Sequence, residues 1–278
     1  MKIKQLLFTL GIATPVALAS CSSEKDFDLT PVKDKAQGSL ILNLEAEAGF
    51  ESQTRALNEN NYKNTANYNV KIINNANDNI LVDCKASELS TYLPKTVEIG
   101  TYTVLATYGN EHAASRNEFF MTGSSTVRVN AKEEKTVNVT CSPTCGKVSV
   151  QFASDMATYY DDYSVSFSGT SALGSNNFAW AKTDSEPWYI KLNEAGETVS
   201  YTISLTAKPE YMHKGEDGSS LATGVATGSF KLDRNKAHKL SIKPNYTPTT
   251  EGGMSLTITI DESTNDHEIT WDVPVTWI

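Results

Sequence analysis

The sequence is poor in the residues from which most catalytic sites are built. Its 278 residues include only four histidines and four cysteines. The histidines are scattered among polar or charged neighbours, and none lies at a recognised spacing from a nucleophile. The G-x-S-x-G and H-E-x-x-H motifs and a glycine-rich phosphate loop are absent from the sequence. We therefore expect a protein that is not an enzyme and has no catalytic residues, no metal site and no cofactor.

Basic residues are also too few for a protein that binds nucleic acid. The chain has 24 lysines and arginines against 33 aspartates and glutamates, which gives a formal net charge of −9. Binding to a phosphate backbone needs a dense cationic surface, so we expect no nucleic-acid partner. Hydrophobic residues make up 39% and charged residues 21% of the chain. This composition is that of a globular protein and excludes one that fills the membrane with many helices.

The N-terminus has the pattern of a secretory signal. Lys2 and Lys4 precede an apolar stretch from Leu6 to Leu18, which is too short to span a bilayer as an anchor. The next residues, Leu18-Ala19-Ser20-Cys21, resemble the bacterial lipobox, in which the cysteine thiol receives diacylglycerol. We therefore predict a signal peptide at residues 1–20 and lipidation of Cys21, which would give a stable membrane anchor. The alternative is a secreted protein cut nearby.

A short polar segment follows the predicted anchor. Ser22-Ser23-Glu24-Lys25-Asp26 is similar to the export tag that sends lipoproteins of the Bacteroidales to the outside of the cell. Lys25 and Asp26 are the residues that carry this similarity. We therefore expect a protein of the outer membrane, displayed on the cell surface through its lipid. An ordinary solvated tether is the alternative.

Period-two alternation of apolar and polar residues dominates the chain after about residue 38. Examples are GTYTVLATY at residues 100–108 and TVSYTISL at residues 198–205. This alternation predicts half-buried strands, and no segment of helical length beyond the signal keeps a convincing 3.6-residue apolar period. We therefore predict an all-β protein made of β-sandwiches.

Two blocks of sequence occur twice, in the same order. Residues 101–104 correspond to 200–203 at an offset of 99, and residues 126–141 correspond to 229–244 at an offset of 103. In the second block, the matching apolar residues are Val127, Val129, Val137 and Val139 in the first copy and Phe230, Leu232, Leu240 and Ile242 in the second. Such a repeat predicts two tandem sandwiches. The predicted organisation is a signal peptide at 1–20, a lipid-anchored tether at 21–38, sandwiches at 39–144 and 145–247, and a linker with a C-terminal hairpin at 248–278.

Three cysteines remain once Cys21 carries the lipid. Strand parity places Cys84 on one face with Ile80 and Val82, and Cys141 on one face with two valines, so both cysteines resemble small core residues. Cys141 and Cys145 lack a second pair of ligands for a metal. The sequence leaves open whether Cys84, Cys141 and Cys145 include one disulfide or are all free thiols.

Aromatic residues offer one candidate binding surface. Trp180, Trp188 and Tyr189 could form a platform on which sugars stack, although aromatic residues at alternate positions of a sandwich more often belong to the core. The acidic pairs Asp161-Asp162 and Asp261-Glu262 lack the surrounding oxygen ligands of a calcium loop, so we expect them in solvated turns.

Several segments together resemble a known family. They are the lipobox, GSLILNLE, ESQTRALNENN, LPKTVEIGTYTVLATYGN, FFMTGSSTVRVNAKEEKTVNVTC, KVSVQF and DDYSVSF. These segments are similar to the fimbrillin-like lipoproteins of Bacteroidales, and more narrowly to a lipoprotein family of unknown function with a G-T-Y-T-V-x-A-x-Y-G signature, here at residues 100–109. The resemblance covers about residues 38–210. It implies two sandwiches of transthyretin-like or immunoglobulin-like type in a pilus subunit, pilus tip or adhesin.

The resemblance also implies a role for one arginine. In that pilus class, an arginine-specific protease cuts after a loop arginine, and loss of the first strand opens a groove that a neighbouring subunit's strand fills. Arg55 matches the position, because it lies in a polar loop after the first predicted strand. The alternative is an unremarkable loop arginine.

The C-terminus carries five apolar residues of one strand parity. They are Ile269, Trp271, Val273, Val275 and Trp277. A strand through them would aim all five side chains at one surface. Pro274 cannot donate a ladder hydrogen bond, so the strand should lie at an edge or bend there. The strand either closes the second sandwich or is donated to another subunit.

The function that we predict from the sequence is a non-enzymatic, fimbrillin-like surface lipoprotein with a role in adhesion or pilus assembly. Its expected partners are the membrane, through the lipid anchor, and either other pilus subunits or host or glycan ligands. A glycan-binding surface lipoprotein is the first alternative, and a surface hydrolase is the second.

Overall fold

The computed structural model describes residues 36–50, 57–246, 254–262 and 268–278. The prediction of an all-β protein is confirmed, since the helices in these ranges are single turns. The strands are β1 Gln37–Ala46, β2 Asn69–Asn74, β3 Asn79–Lys85, β4 Lys95–Glu98, β5 Gly100–Tyr108, β6 Ala114–Ser115, β7 Met121–Val129, β8 Glu134–Pro143, β9 Cys145–Phe152, β10 Tyr160–Ser168, β11 Phe178–Ala181, β12 Trp188–Lys191, β13 Glu197–Ala207, β14 His213–Lys214, β15 Ser220–Leu221, β16 Thr223–Leu232, β17 Ala237–Tyr246, β18 Met254–Glu262, β19 Glu268–Pro274 and β20 Thr276–Trp277. The α-helices are α1 Asn60–Lys63, α2 Leu89–Tyr92 and α3 Met156–Tyr159. Three short 3₁₀ turns lie at Thr65–Asn67, Ala86–Glu88 and Pro209–Tyr211.

The strands form three larger sheets and one small hairpin. The first half of the chain makes a seven-stranded sheet in the order β3-β2-β5-β7-β8-β1-β4. The second half makes a five-stranded sheet, β11-β10-β13-β16-β20, and most of a six-stranded sheet, β19-β18-β17-β9-β12-β6. Strand β6 comes from the first half and pairs with β12, so the two halves share one sheet.

One strand arrangement occurs twice in these sheets. The order β3-β2-β5-β7 of the first half returns as β11-β10-β13-β16 in the second. In each half, the strand after this group pairs in parallel with the strand that opens the half, β8 with β1 and β17 with β9. The turn before each parallel strand contains a left-handed residue, Lys132 with φ 61° and Asn235 with φ 60°. These two residues are also 103 positions apart, so the sequence repeat matches a repeat of backbone conformation.

Two clusters of buried apolar side chains lie in the two halves. The first contains Tyr68, Tyr102 and Val139, and the second contains Trp180, Tyr201 and Leu240. Alternation places these side chains inside, because every second residue of a strand faces the same way. Full burial of each large apolar side chain contributes about 1.5–3 kcal/mol. The domain boundaries at 39–144 and 145–247 stay a prediction.

The glycine that ends the G-T-Y-T-V-x-A-x-Y-G signature has a steric role. Gly109 adopts φ +79°, and a Cβ atom there would lie 2.0 Å from the main-chain oxygen of Phe119. Neither the backbone conformation nor the space allows another residue without a shift of the backbone. This part of the signature is therefore explained by the fold.

The parity prediction for Cys84 is only partly right. Val82 and Cys84 are buried, but Ile80 is 54% exposed. The β2–β3 pairing shifts register there, since Ile72 pairs with Val82 and Ile73 pairs with Ile80. A bulge of one residue reverses the face of every side chain beyond it, which explains the exposure of Ile80. Cys84, Cys141 and Cys145 are all buried free thiols.

Candidate functional site

Four of the residues singled out by the sequence lie outside the described ranges. Cys21, Lys25 and Asp26 belong to residues 1–35, and Arg55 belongs to residues 51–56, which we call the Arg55 loop. Lipidation, the export tag and proteolytic processing therefore stay predictions.

The strand before the Arg55 loop is held on both sides. Residues 39–46 of β1 pair in parallel with residues 134–141 of β8, and residues 37–40 pair with β4. Leu40 is buried in the first cluster, whereas Leu42 and Leu44 are half-buried. Most of the attachment of β1 is therefore main-chain pairing, with one fully buried leucine.

Side chains on both sides of the Arg55 loop are buried against the second half of the chain. Phe50 packs on Phe119 and Tyr189, with ring centroids 5.3 and 5.6 Å apart. The main-chain N–H of Gly49 donates to Oδ1 of Asn235 at 2.5 Å. The chain is thus fixed immediately before the loop.

A buried ion pair fixes the chain after the loop. Nζ of Lys147 lies 2.7 Å from Oε1 of Glu59, and both side chains are less than one-tenth exposed. The hydroxyl of Tyr189 donates to the same carboxylate oxygen at 2.5 Å. The Lys147 ammonium also lies 6.0 Å from the centre of the Phe50 ring. We call Phe50, Glu59, Lys147 and Tyr189 the Glu59 cluster.

No pattern in the sequence predicts the Glu59 cluster. Glu59 lies in a polar loop, and Lys147 lies on β9 between core residues. An ion pair is recognisable in sequence when its members are three or four residues apart on a helix, whereas these two are 88 residues apart.

The aromatic residues considered as a sugar platform do not form a solvent-facing row. Trp180 and Tyr189 are 1% and 2% exposed. Arg116 lies over the rings of Trp180 and Trp188, at 5.3 and 4.6 Å from their centres. Its guanidinium also donates to Oδ2 of Asp184 at 2.6 Å and thereby lowers the pKa of that carboxyl. These aromatic residues therefore serve packing between the two halves of the chain.

The C-terminal strands pair within their own chain. Strand β19 pairs with β18, whereas β20 pairs with β16 in the other sheet. The chain crosses between the sheets next to Pro274, where a bend or an edge is expected. Val273 is buried in the second cluster, and Val275 and Trp277 pack against it. The main chain of Ile269 and Trp271 pairs with that of β18.

The titratable residues that the structure describes do not cluster into a metal site. Within the described ranges, no group of three or more histidine, cysteine, aspartate or glutamate residues could hold a metal ion. Nε2 of His112 lies 2.7 Å from Oε1 of Glu118 at an exposed position, and this contact lowers the pKa of Glu118. Among the same residues, no helix has the length and apolar character needed to cross a membrane.

Comparisons with known proteins place the chain in a family. No curated protein sequence matches it. Among solved structures, a fimbrial assembly protein from Parabacteroides distasonis is 11% identical, with a TM-score of 0.41 over 85% of this chain and 99% of that one. The fimbrial anchor protein Mfa2 from Porphyromonas gingivalis is 12% identical, with a TM-score of 0.40 over 84% of this chain and 99% of that one. The family described as a domain of unknown function, DUF4493, matches residues 36–275. The chain therefore belongs to the DUF4493 family.

Proposed function

We propose that the chain is a fimbrillin-like surface lipoprotein with a role in adhesion or pilus assembly. Cys21 carries the lipid, and Lys25 and Asp26 direct the protein to the outer face of the outer membrane. The body consists of two tandem sandwiches of transthyretin-like or immunoglobulin-like type. Its partners are other subunits or ligands on a host surface.

The placement of β1 is the observation that supports assembly best. This strand lies between β8 and β4, and the Arg55 loop follows it. Cleavage after Arg55 and departure of β1 would leave main-chain groups of both neighbours without partners, beside the space of Leu40. A strand from another subunit would satisfy these groups and fill the space.

The second half of the chain should keep its buried core when β1 is exchanged. Its cluster of buried side chains contains no residue of β1. Cleavage would remove Phe50 from the Glu59 cluster, but the ion pair between Glu59 and Lys147 would keep the chain after the loop attached to β9. The loss of β1 would thus open the first sheet while the rest of the body keeps its core.

The test compares wild type with Arg55→Ala in cells that display the protein. We expect wild type to have Ala56 as its N-terminal residue and to form species heavier than a monomer, because β1 has been exchanged. Arg55→Ala should keep the lipidated N-terminus, stay monomeric and lose adhesion to host cells. Arg128→Ala, which changes an exposed arginine on β7, is the matched control and should behave as wild type.

Equal processing, assembly and adhesion of Arg55→Ala and wild type would contradict the exchange of β1. Equal adhesion of cells with and without the gene, together with a monomeric protein in both variants, would contradict the proposed function as a whole.

A further inference from the structure

A groove runs along one edge of β9. It has a volume of about 480 Å³, and residues 149–154 form one of its walls. Tyr163, Trp180 and Asp184 contribute to the opposite wall. The groove begins where β12 leaves β9, because β12 pairs only with residues 145–148. We call it the β9 groove, and it is separate from β1 and from the C-terminal strands.

The main-chain groups of β9 alternate between its two neighbours. The N–H of Lys147 donates to the carbonyl oxygen of Lys236, and the N–H of Ala153 donates to that of Ile242, both at 2.9 Å on the β17 side. Residues of the other parity therefore face the opposite side. Val148 meets β12 there. Val150 and Phe152 lie beyond β12, and within the described ranges no strand pairs with them on that side.

The position of the groove relative to the sheet determines the shape of a ligand. Gln151 is exposed on the outer face of β9, whereas Val150 is buried on the inner face, and both line the groove. A cavity that touches both faces of an edge strand lies in the plane of the sheet. An occupant in this plane can satisfy the N–H and C=O groups of Val150 and Phe152 as another strand would.

The chain's own backbone is held away from this space. The turn before β12 is closed by Asp184, whose Oδ2 accepts from the N–H of Ala181 at 2.9 Å and from Arg116 at 2.6 Å. Pro187 follows this turn, and the ladder between β12 and β9 stops at Trp188, which lies opposite Val148. The groove is therefore preformed and does not depend on loss of a strand.

We propose that the β9 groove binds an extended segment of a partner protein as an added strand. The open edge spans residues 149–152, so the segment is about four residues long at about 3.3 Å per residue. Its inward side chains are apolar, since they meet Tyr163 and Phe152, whose ring centres are 4.8 Å apart. Its outward side chains are polar, beside Gln151 and Lys239.

The charges around the groove favour a segment without an excess of positive charge, because Lys182, Asp184 and Lys239 all line it. Asp184 is paired with Arg116, and Lys182 lies 3.3 Å from a carboxylate oxygen of Asp162. The described strands of this chain are already paired in its own sheets. With its described residues alone, a second copy would therefore have to release a strand to fill the groove, whereas a partner with an extended segment would not.

The test measures binding of a fluorescent hexapeptide of alternating threonine and valine, capped at both ends, to the full-length chain. Two further peptides carry N-methyl groups, one on the threonines and one on the valines. In a paired strand, only alternate N–H groups face β9. One N-methylated peptide should therefore lose affinity by about tenfold or more, and the other should bind like the parent.

Variants of one residue separate the main-chain contact from the side-chain contact. Phe152→Pro removes an N–H that faces the groove, whereas Phe152→Ala removes only the ring. We expect Phe152→Pro to weaken peptide binding about tenfold more than Phe152→Ala does. Hydrogen exchange at Val150 and Phe152 should be faster than at Ser149 and Gln151.

Three results would overturn the proposal. They are no binding of the parent peptide at millimolar concentration, equal binding of all three peptides, and slow exchange at Val150 and Phe152. Self-association of wild type that Phe152→Pro abolishes would assign the groove to a second copy instead of a partner protein.

Discussion

The two ends of the described chain are held in different ways. Strand β1 lies within one sheet, between two neighbours, and contributes one fully buried apolar side chain, Leu40. The C-terminal segment crosses from the six-stranded sheet to the five-stranded sheet, since β19 pairs with β18 and β20 with β16. Main-chain pairing can be supplied by any strand of suitable alternation, whereas a segment that joins two sheets holds them together. The comparison supports our proposal that β1 is the exchanged strand, and it predicts a structural role for the C-terminus.

Deleting residues 268–278 should give the largest loss of stability among the changes that test this comparison. Val273, Val275 and Trp277 would no longer cover the second core, so we expect the free energy of unfolding to fall by about 4–6 kcal/mol. Urea denaturation of the truncated and full-length chains measures the difference. Ile278→Ser changes a side chain that is 68% exposed and should leave stability unchanged. A truncated chain with full stability but without self-association would make the C-terminus the donated strand.

Lys147→Met should give the next largest loss of stability. It leaves the buried carboxylate of Glu59 without its ion-pair partner, which should cost about 3–5 kcal/mol in unfolding free energy. Adding Glu59→Leu to Lys147→Met should restore part of this loss, because the uncompensated charge is removed. Thermal or urea unfolding of the single and double variants gives the coupling. A single variant as stable as wild type would show that the Glu59 cluster does not fix the chain after the Arg55 loop.

Leu40→Ala tests how much side-chain burial holds β1. We expect a loss of about 2–4 kcal/mol, because the buried leucine leaves a cavity. Hydrogen exchange of β1 and β4 should rise more than that of β17 and β18, since only the first sheet is loosened. Asn43→Ala, at an exposed position of the same strand, is the control. Uniform loosening of both halves would mean that β1 is not separable from the second half.

Asp184→Asn should give the smallest loss of stability, and the size of this loss should depend on pH. Arg116 lowers the pKa of Asp184 in the folded chain, so this pair stabilises the fold above the usual pKa of aspartate. That contribution is lost as the pH falls through the lowered pKa. At pH 7 we expect the variant to be about 1 kcal/mol less stable than wild type, and the difference should shrink in acid. Asp155→Asn, at an exposed carboxylate, should show no such convergence. A difference that does not change with pH would contradict the role of the charge.

Alternation and the internal repeat were sufficient to predict the type of fold. Val129 and Leu232 occupy matching buried positions, and both precede a turn with a left-handed residue. Local pattern could not predict the bulge that exposes Ile80, because a bulge depends on the partner strand. The crossing at Pro274 was foreseeable as a bend, but its destination on β16 was not.

The candidate site was harder to predict from the sequence than the fold was. Glu59 and Lys147 meet only because the tertiary structure brings together residues 88 positions apart. From sequence, Trp180 and Tyr189 could belong either to a sugar platform or, more often in a sandwich, to the core, and both are buried. The β9 groove depends on where β12 begins, which follows the turn at Asp184.

Protease treatment of intact cells, followed by mapping of the N-termini of the recovered chain, tests the central claim most directly. The account predicts that the protein is accessible from outside the cell and that its N-terminal residue before treatment is Ala56, which follows Arg55. It also predicts that Cys21→Ala abolishes this display. A chain protected from protease in intact cells, with lipidated Cys21 as its only N-terminus, would contradict both surface display and exchange of β1.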